Sequence, residues 1–200
     1  SSGNYVLTVT DVKGCTIDIP FSINQPQAIT GSISMDSVDC YGTATGSISY
    51  QVSGGTLPIS YSWQNTTTLF SQSQPAIYNM MADVYTVIAT DDNGCEITDG
   101  INLLEPSELV ASTTSQNVLC YGENTGSIDL TISGGIAPYS TIWTINPSTI
   151  IDTSEDIDSL FYGMYDVNIT DENGCSIIIN QEIIQPSVPV SILAEVTDVT

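Results

Sequence analysis

Positive charge is almost missing from this chain: Lys13 is its only Lys or Arg and there is no His, against 23 Asp plus Glu, for a formal net charge of −22. A Ser or Cys nucleophile usually needs a His or Lys base beside it, and His-bound zinc needs imidazole. Most nucleophilic catalysis and all His-bound zinc are therefore excluded. Nucleic acid is excluded as a partner, because its binding rests on Lys and Arg neutralising phosphates. Anionic lipid is disfavoured for the same reason. Long apolar runs are lacking too: none approaches the roughly 18 residues of a membrane span, so no membrane span is expected in this segment. No signal peptide is visible, and no stretch keeps a helical period. A glycosidase built on two carboxylates would survive these filters, but nothing in the chain suggests a catalytic cleft, and we read no enzyme and no catalytic residue here.

What is there recurs every 80 residues. Cys15, Cys95 and Cys175 keep this spacing, as do Cys40 and Cys120, Trp63 and Trp143, Tyr5, Tyr85 and Tyr165, and Pro26, Pro106 and Pro186. A fixed period of this kind marks a tandem array. The register divides the chain into the C-terminal part of a truncated repeat (1–26), full repeats at 27–106 and 107–186, and the first strand of a further repeat (187–200). The chain thus reads as an excerpt from a longer array.

Short β-type runs separated by turn signals indicate an all-β sandwich. In the first full repeat the expected strands are A at Ala28–Met35, B at Gly46–Ser53, C at Ile59–Gln64, F at Val84–Thr90 and G at Glu96–Leu104. Two weaker strands are expected within Thr66–Met81, about seven per repeat in all. Ile48, Tyr50 and Val52 alternate with polar residues, as do Tyr85, Val87 and Ala89, and Tyr165, Val167 and Ile169, so each set should face a core. Trp63 and Trp143 stand where an immunoglobulin-like sandwich buries its strand C Trp, and Tyr5, Tyr85 and Tyr165 where its tyrosine corner falls. All five are expected in the core. The position two residues after each Tyr is Leu7, Val87 or Val167, so the usual inter-sheet disulfide is absent.

The F to G connections read Asp91-Asp92-Asn93-Gly94-Cys95 and Asp171-Glu172-Asn173-Gly174-Cys175. Asn-Gly between strands is a strong hairpin signal. The same oxygens in a row, from Asp91, Asp92, Asn93, Asp171, Glu172 and Asn173, could ligate Ca²⁺. The earlier copy, Asp11-Val12-Lys13-Gly14, lacks most of those ligands, which favours turn chemistry. No other cofactor is expected.

Taken together, Cys-Tyr-Gly (40–42, 120–122), Gly-Ser-Ile (46–48, 126–128), Ser-Gly-Gly (53–55, 133–135), the strand C Trp, Thr-Asp-x-Asn-Gly-Cys and the closing Gln-Pro or Glu-Pro resemble the SprB repeat. The resemblance implies tandem PKD-like sandwiches in a large, secreted, cell-surface filamentous adhesin of Bacteroidota, exported by the type IX system and moved by the gliding machinery. Lys13 departs from the pattern, where Asn is expected.

Two cysteines per repeat in an apparently secreted chain read as disulfides. Pairing within a repeat would join Cys40 to Cys95 and Cys120 to Cys175. In this fold, however, the A to B corner and the F to G hairpin lie at opposite ends of strands spanning roughly 17–20 Å, whereas disulfide Cα atoms sit about 4.4–6.8 Å apart. A head-to-tail array would instead bring Cys40 to Cys175, leaving Cys15, Cys95 and Cys120 with partners outside the excerpt. Sequential pairing, Cys95 with Cys120, is the third alternative.

Function follows as a stalk, with neighbouring repeats of the same chain as its partners and the ligand, polysaccharide or surface protein, taken by other domains. Pro at each junction restricts bending, and full repeats without Lys cannot form Lys-to-Asn isopeptide staples. The rival is a repeated Ca²⁺-dependent module that itself binds polysaccharide or protein. Asp36-Ser37-Val38 and Asp158-Ser159-Leu160 resemble the Bacteroidota O-glycosylation motif, which makes Ser37 and Ser159 candidate sites. Asn65 and Asn168 fit Asn-x-Thr.

Overall fold

The computed structural model describes residues 2–66, 72–145 and 149–192. Its elements are β1 (Gly3–Thr10), β2 (Thr16–Ile23), β3 (Thr30–Asp36), β4 (Gly46–Ser53), β5 (Ser60–Asn65), β6 (Ala76–Met80), β7 (Asp83–Thr90), β8 (Glu96–Leu103), β9 (Val110–Gln116), β10 (Gly126–Ser133), β11 (Ser140–Ile145), β12 (Thr149–Asp152), β13 (Ile157–Leu160), β14 (Gly163–Thr170) and β15 (Ser176–Ile183). All are strands, every pairing is antiparallel, and the fold is immunoglobulin-like. Contacts divide the chain into two units: Ser1–Asp36 with Gly46–Leu103, and Ser37–Thr45 with Leu104–Thr200.

In the first unit the sheets run β3-β4-β6 and β5-β7-β8, beside a separate β1-β2 hairpin. Of the residues that alternation picks out in β4 and β7, Ile48, Tyr50, Tyr85, Val87 and Ala89 are buried and Val52 is half-buried, and Trp63 of β5 is buried as well. Burying such side chains is worth roughly 1.5–3 kcal/mol each. The second unit repeats this with sheets β9-β10-β13 and β12-β11-β14-β15, around Ile128, Leu130, Trp143, Tyr165, Val167 and Ile169. Each Trp satisfies its indole N–H while buried, Trp63 donating to Gln74 O at 2.9 Å and Trp143 to Ser154 O at 3.0 Å. Tyr85 donates to Met81 O and Tyr165 to Phe161 O, each at 2.9 Å, so both corners close.

One expectation is corrected. Tyr5 is 37% exposed; it sits on the β1-β2 hairpin, against which no other described strand packs extensively, and it stacks on Phe21, ring centroids 5.7 Å apart. Of the two weaker strands expected within Thr66–Met81, β6 is described and the place of the other falls on residues 67–71, outside the described residues; the second copy has both β12 and β13. Asn79 in β6 and Ser159 in β13 have φ of 57° and 58°, and the pairing with the neighbouring strand shifts register in each. A left-handed residue in a short strand breaks the period-2 pattern by which strands are read from sequence.

The cores are not identical. Tyr50 donates its hydroxyl to Asp99 Oδ2 at 2.6 Å, and burial, reinforced by that carboxylate, pushes the phenol above its usual range. A Cβ on Gly31 would overlap the Tyr50 ring and hydroxyl. Eighty residues on, the three positions hold Ala111, Leu130 and Ile179. We expect Gly31→Ala to cost about 1–3 kcal/mol, read as a lower denaturant midpoint, and the triple variant Gly31→Ala, Tyr50→Leu, Asp99→Ile to restore it. Additive losses would show that the three positions are not one packing unit.

Candidate functional site: the hairpin clamp

The F to G hairpins are built around one carboxylate each. Asp91 Oδ1 accepts the backbone N–H groups of Asn93 (3.0 Å) and Cys95 (2.8 Å), and its Oδ2 accepts Thr56 N–H at 2.9 Å. Asp91 N–H also donates to Cys95 O, Gly94 N–H to Asp91 O and Asp92 N–H to Thr56 O. The second copy matches: Asp171 Oδ1 accepts Cys175 N–H at 2.8 Å and Oδ2 accepts Ile136 N–H at 2.9 Å, while Glu172 N–H donates to Ile136 O. The Ser-Gly-Gly motif and the Asp-x-Asn-Gly-Cys motif are thus two halves of one structure. At Gly135, φ +58°, a Cβ would lie 2.8 Å from Asp171 Oδ2, and at Gly55, φ +68°, one would lie 3.2 Å from Asp91 Cβ. Only a residue that tolerates this φ and needs no room lets the turn close on the carboxylate. The N–H groups of Cys95 and Thr56, with that of Asn93, hold the Asp91 carboxyl below the ordinary aspartate range.

This geometry does not suit Ca²⁺. The oxygens of Asp91 are taken by N–H donors, and among the described residues no group of three His, Cys, Asp or Glu side chains could hold a metal ion. Asp92 and Glu172 are exposed, Asn93 Nδ2 donates to Thr56 Oγ1 at 2.7 Å, and Asn173 turns to another task.

That task lies at the connection 37–45, which belongs to the second unit by its contacts. Val38 N–H donates to Leu104 O at 3.0 Å, Gly42 N–H to Glu105 Oε2 at 2.7 Å and Asp39 N–H to Thr45 Oγ1 at 2.8 Å. The connection 117–125 has the same bonds: Val118 to Ile184 O, Gly122 to Gln185 Oε1 and Leu119 to Thr125 Oγ1. Cys-Tyr-Gly and the closing Glu-Pro or Gln-Pro are therefore a turn and its cap. Asn173 Nδ2 donates to Asp39 O at 2.8 Å, Cys175 Sγ lies 3.4 Å from the same oxygen, and Cys40 and Cys175 form a disulfide with Cα atoms 5.7 Å apart. Cys15, Cys95 and Cys120 are exposed thiols. The within-repeat pairs Cys40–Cys95 and Cys120–Cys175 are thus not formed, because Cys40 and Cys175 bond to each other; the sequential pair Cys95–Cys120 is not formed either. Ser37 is exposed at the start of this connection, and Ser159 is exposed on β13 with its hydroxyl donating to Asp158 Oδ1 at 2.8 Å.

Sequence reasoning found the hairpins and the cysteines but missed the carboxylate cage and the Asn173 contact. Both join motifs far apart in the chain, 35 residues for Ile136 to Asp171 and 134 for Asn173 to Asp39. The repetition of Ser-Gly-Gly and Asp-x-Asn-Gly-Cys in step was the available signal.

The family model of the SprB repeat matches the chain twice, at residues 32–68 and 112–144. No curated protein matches it. Among solved structures, one described as "Structural basis for Dscam isoform specificity" is similar at 13% identity and TM-score 0.36, over 92% of this chain and 54% of that one. The chain therefore spans about half of that structure's length.

Because the Asp91 carboxyl is held low when folded, its contribution is full above the unfolded value of about 3.9 and is lost as pH falls through the lower folded value. Melting curves between pH 7 and pH 2 should fall more steeply on the acid side for the parent than for Asp91→Asn, whose amide cannot accept from Thr56 and the hairpin together. Parallel curves would show that the cage does not form. Millimolar Ca²⁺ should leave the melting temperature unchanged, and a rise would reinstate the metal reading.

Proposed function

We propose that this chain is a structural, non-catalytic segment of a cell-surface adhesin, a stalk of stacked sandwiches whose successive copies are clamped by disulfides. The observation that carries the reading is the Cys40–Cys175 bond, which ties positions 135 residues apart and of different kinds, an A to B connection and an F to G hairpin. The SprB matches support a surface adhesin. Secretion by the type IX system, a filament on a gliding cell of the Bacteroidota and attachment to the gliding machinery complete the proposal, with surface or polysaccharide ligands taken by other domains. The divisions at 27–106 and 107–186 are its units, and Ser37 and Ser159 its candidate glycan sites. No helix among the described residues is long and apolar enough to cross a membrane.

A clamp of this kind suits a part under tension. Pulled from its ends, the chain transmits force through the disulfide and bypasses everything between Cys40 and Cys175. Those 135 residues would otherwise extend by about 3.5 Å each, roughly 470 Å in all. Closing a loop of that length also removes roughly 5 kcal/mol of entropy from the unfolded state.

Single-molecule pulling should release about 470 Å more contour length from reduced than from oxidised chain; equal lengths would remove the clamp. In the whole adhesin, in-frame deletion of the repeats with the tip retained should leave ligand binding intact. Loss of binding would turn the reading to a repeated binding module.

A further inference from the structure

We propose that Asn173–Gly174 is a self-modification site held off by the closed clamp, so that deamidation of Asn173 leaves a lasting mark of clamp opening. Asn-Gly occurs twice in the chain, at 93–94 and 173–174. Gly presents its backbone nitrogen with no side chain beside it, and even a Cβ built on Gly174 would meet no atom within 4 Å, so no other segment crowds the peptide. Asn173 is exposed to water. The reacting groups and the water that completes the reaction therefore meet at the tip of the hairpin.

The two copies secure the reacting amide differently. Asn93 Nδ2 donates to Thr56 Oγ1 at 2.7 Å, a partner within its own repeat and independent of any disulfide. Eighty residues on, Thr56 becomes Ile136, which has no hydroxyl. Asn173 Nδ2 donates instead to Asp39 O at 2.8 Å, and among the described residues its side chain has no other hydrogen bond. Asp39 precedes Cys40, and the Cys175 that Cys40 bonds lies two residues beyond Asn173. Rotation of the Asn173 side chain toward the Gly174 nitrogen costs the Asp39 bond, while the disulfide keeps that acceptor in place. The Gly nitrogens are matched, Gly94 N–H donating to Asp91 O at 2.9 Å and Gly174 N–H to Asp171 O at 3.1 Å, so the copies differ in the amide alone.

In the reaction the Gly174 nitrogen loses its proton to water and attacks Asn173 Cγ. The new N–Cγ bond closes a cyclic imide, the Cγ–Nδ2 bond breaks, and Nδ2 takes up a proton and leaves as ammonia. Water then opens an imide C–N bond to give aspartate or isoaspartate; nothing is oxidised or reduced. Neither product can repeat the contact. A carboxylate only accepts hydrogen bonds, and it would face the Asp39 carbonyl, another acceptor. Isoaspartate also adds a methylene to the main chain between Asp171 and Cys175, where the cage sets Cys175 N 2.8 Å from Asp171 Oδ1 and Asp171 N 3.0 Å from Cys175 O. The inference rests on the Cys40–Cys175 bond that the stalk reading also uses.

The 200-residue chain and its Cys40→Ser variant are held at neutral pH, and amide loss at Asn173 and Asn93 is followed by peptide mass, with non-reducing digests recording the disulfide in the same samples. Asn173 should deamidate about fivefold faster in Cys40→Ser, the weight of one hydrogen bond, with Asn93 unchanged. Adding Ile136→Thr to that variant should return Asn173 to the slow rate, and Thr56→Val should speed Asn93 about fivefold with Cys40–Cys175 intact. After reduction, Asn173→Asp should regain Cys40–Cys175 in glutathione disulfide more slowly than the parent. Equal Asn173 rates with and without the disulfide, a rise at Asn93 matching that at Asn173, no effect of Thr56→Val, or equal recovery of the disulfide would each overturn the proposal. The digests separate the two readings: Cys40–Cys175 present in the parent with equal Asn173 rates ends the modification site alone, whereas its absence there ends both.

Discussion

A buried carboxylate accepting main-chain N–H groups from two separate segments is the constraint on which the rest of this structure depends. Asp171 is only 5% exposed, and it binds the hairpin it starts and the Gly-Gly turn of another connection at once. An ionised carboxylate removed from water is costly unless it is met by donors, and charge-assisted bonds to N–H are among the stronger hydrogen bonds a protein makes. The cage therefore closes as a whole. It places the Cys and the Asn of the hairpin at fixed positions, and a disulfide requires its two backbones to be placed beforehand within a narrow range.

Much of the fold was legible in the sequence, and for a definite reason. The strands β4, β7, β10 and β14 alternate inward and outward side chains, so each displays the period from which it is read. Trp63 and Tyr85 were legible from their places in an immunoglobulin-like sandwich, and each sends its one polar atom to a backbone carbonyl. The edge strands β6, β12 and β13 were legible only as weak strands without bounds, since they are short and carry a left-handed residue or none of the alternation. Tyr5 was misplaced because a repeat position tells which face a side chain takes but not whether a second sheet covers that face.

At the clamp, turn chemistry was legible and the cage was not. Asn-Gly announces a hairpin from two adjacent residues, whereas the ties from Asp91 to Thr56 and from Gly42 to Glu105 span 35 and 63 residues. The first carboxylate of each acidic run that resembled a calcium loop, Asp91 or Asp171, is spent on backbone N–H groups. The departures between copies are informative in the same way: Gly31 with Tyr50 and Asp99, against Ala111 with Leu130 and Ile179, are two solutions to one packing problem, and a change at one position makes sense only with the other two.

Residues 37–45 belong to the second unit, although the strands on either side of them belong to the first. A polypeptide emerges N-terminus first, so this segment appears long before Leu104, Glu105, Asn173 and Cys175, with which it packs. Until 135 further residues have followed it, Cys40 has to persist as a thiol in whatever compartment receives the chain. Construction of this connection is therefore a matter of timing: residues 37–45 are finished only by a part of the chain made later, and an oxidant that acts too early would seal the wrong sulfurs.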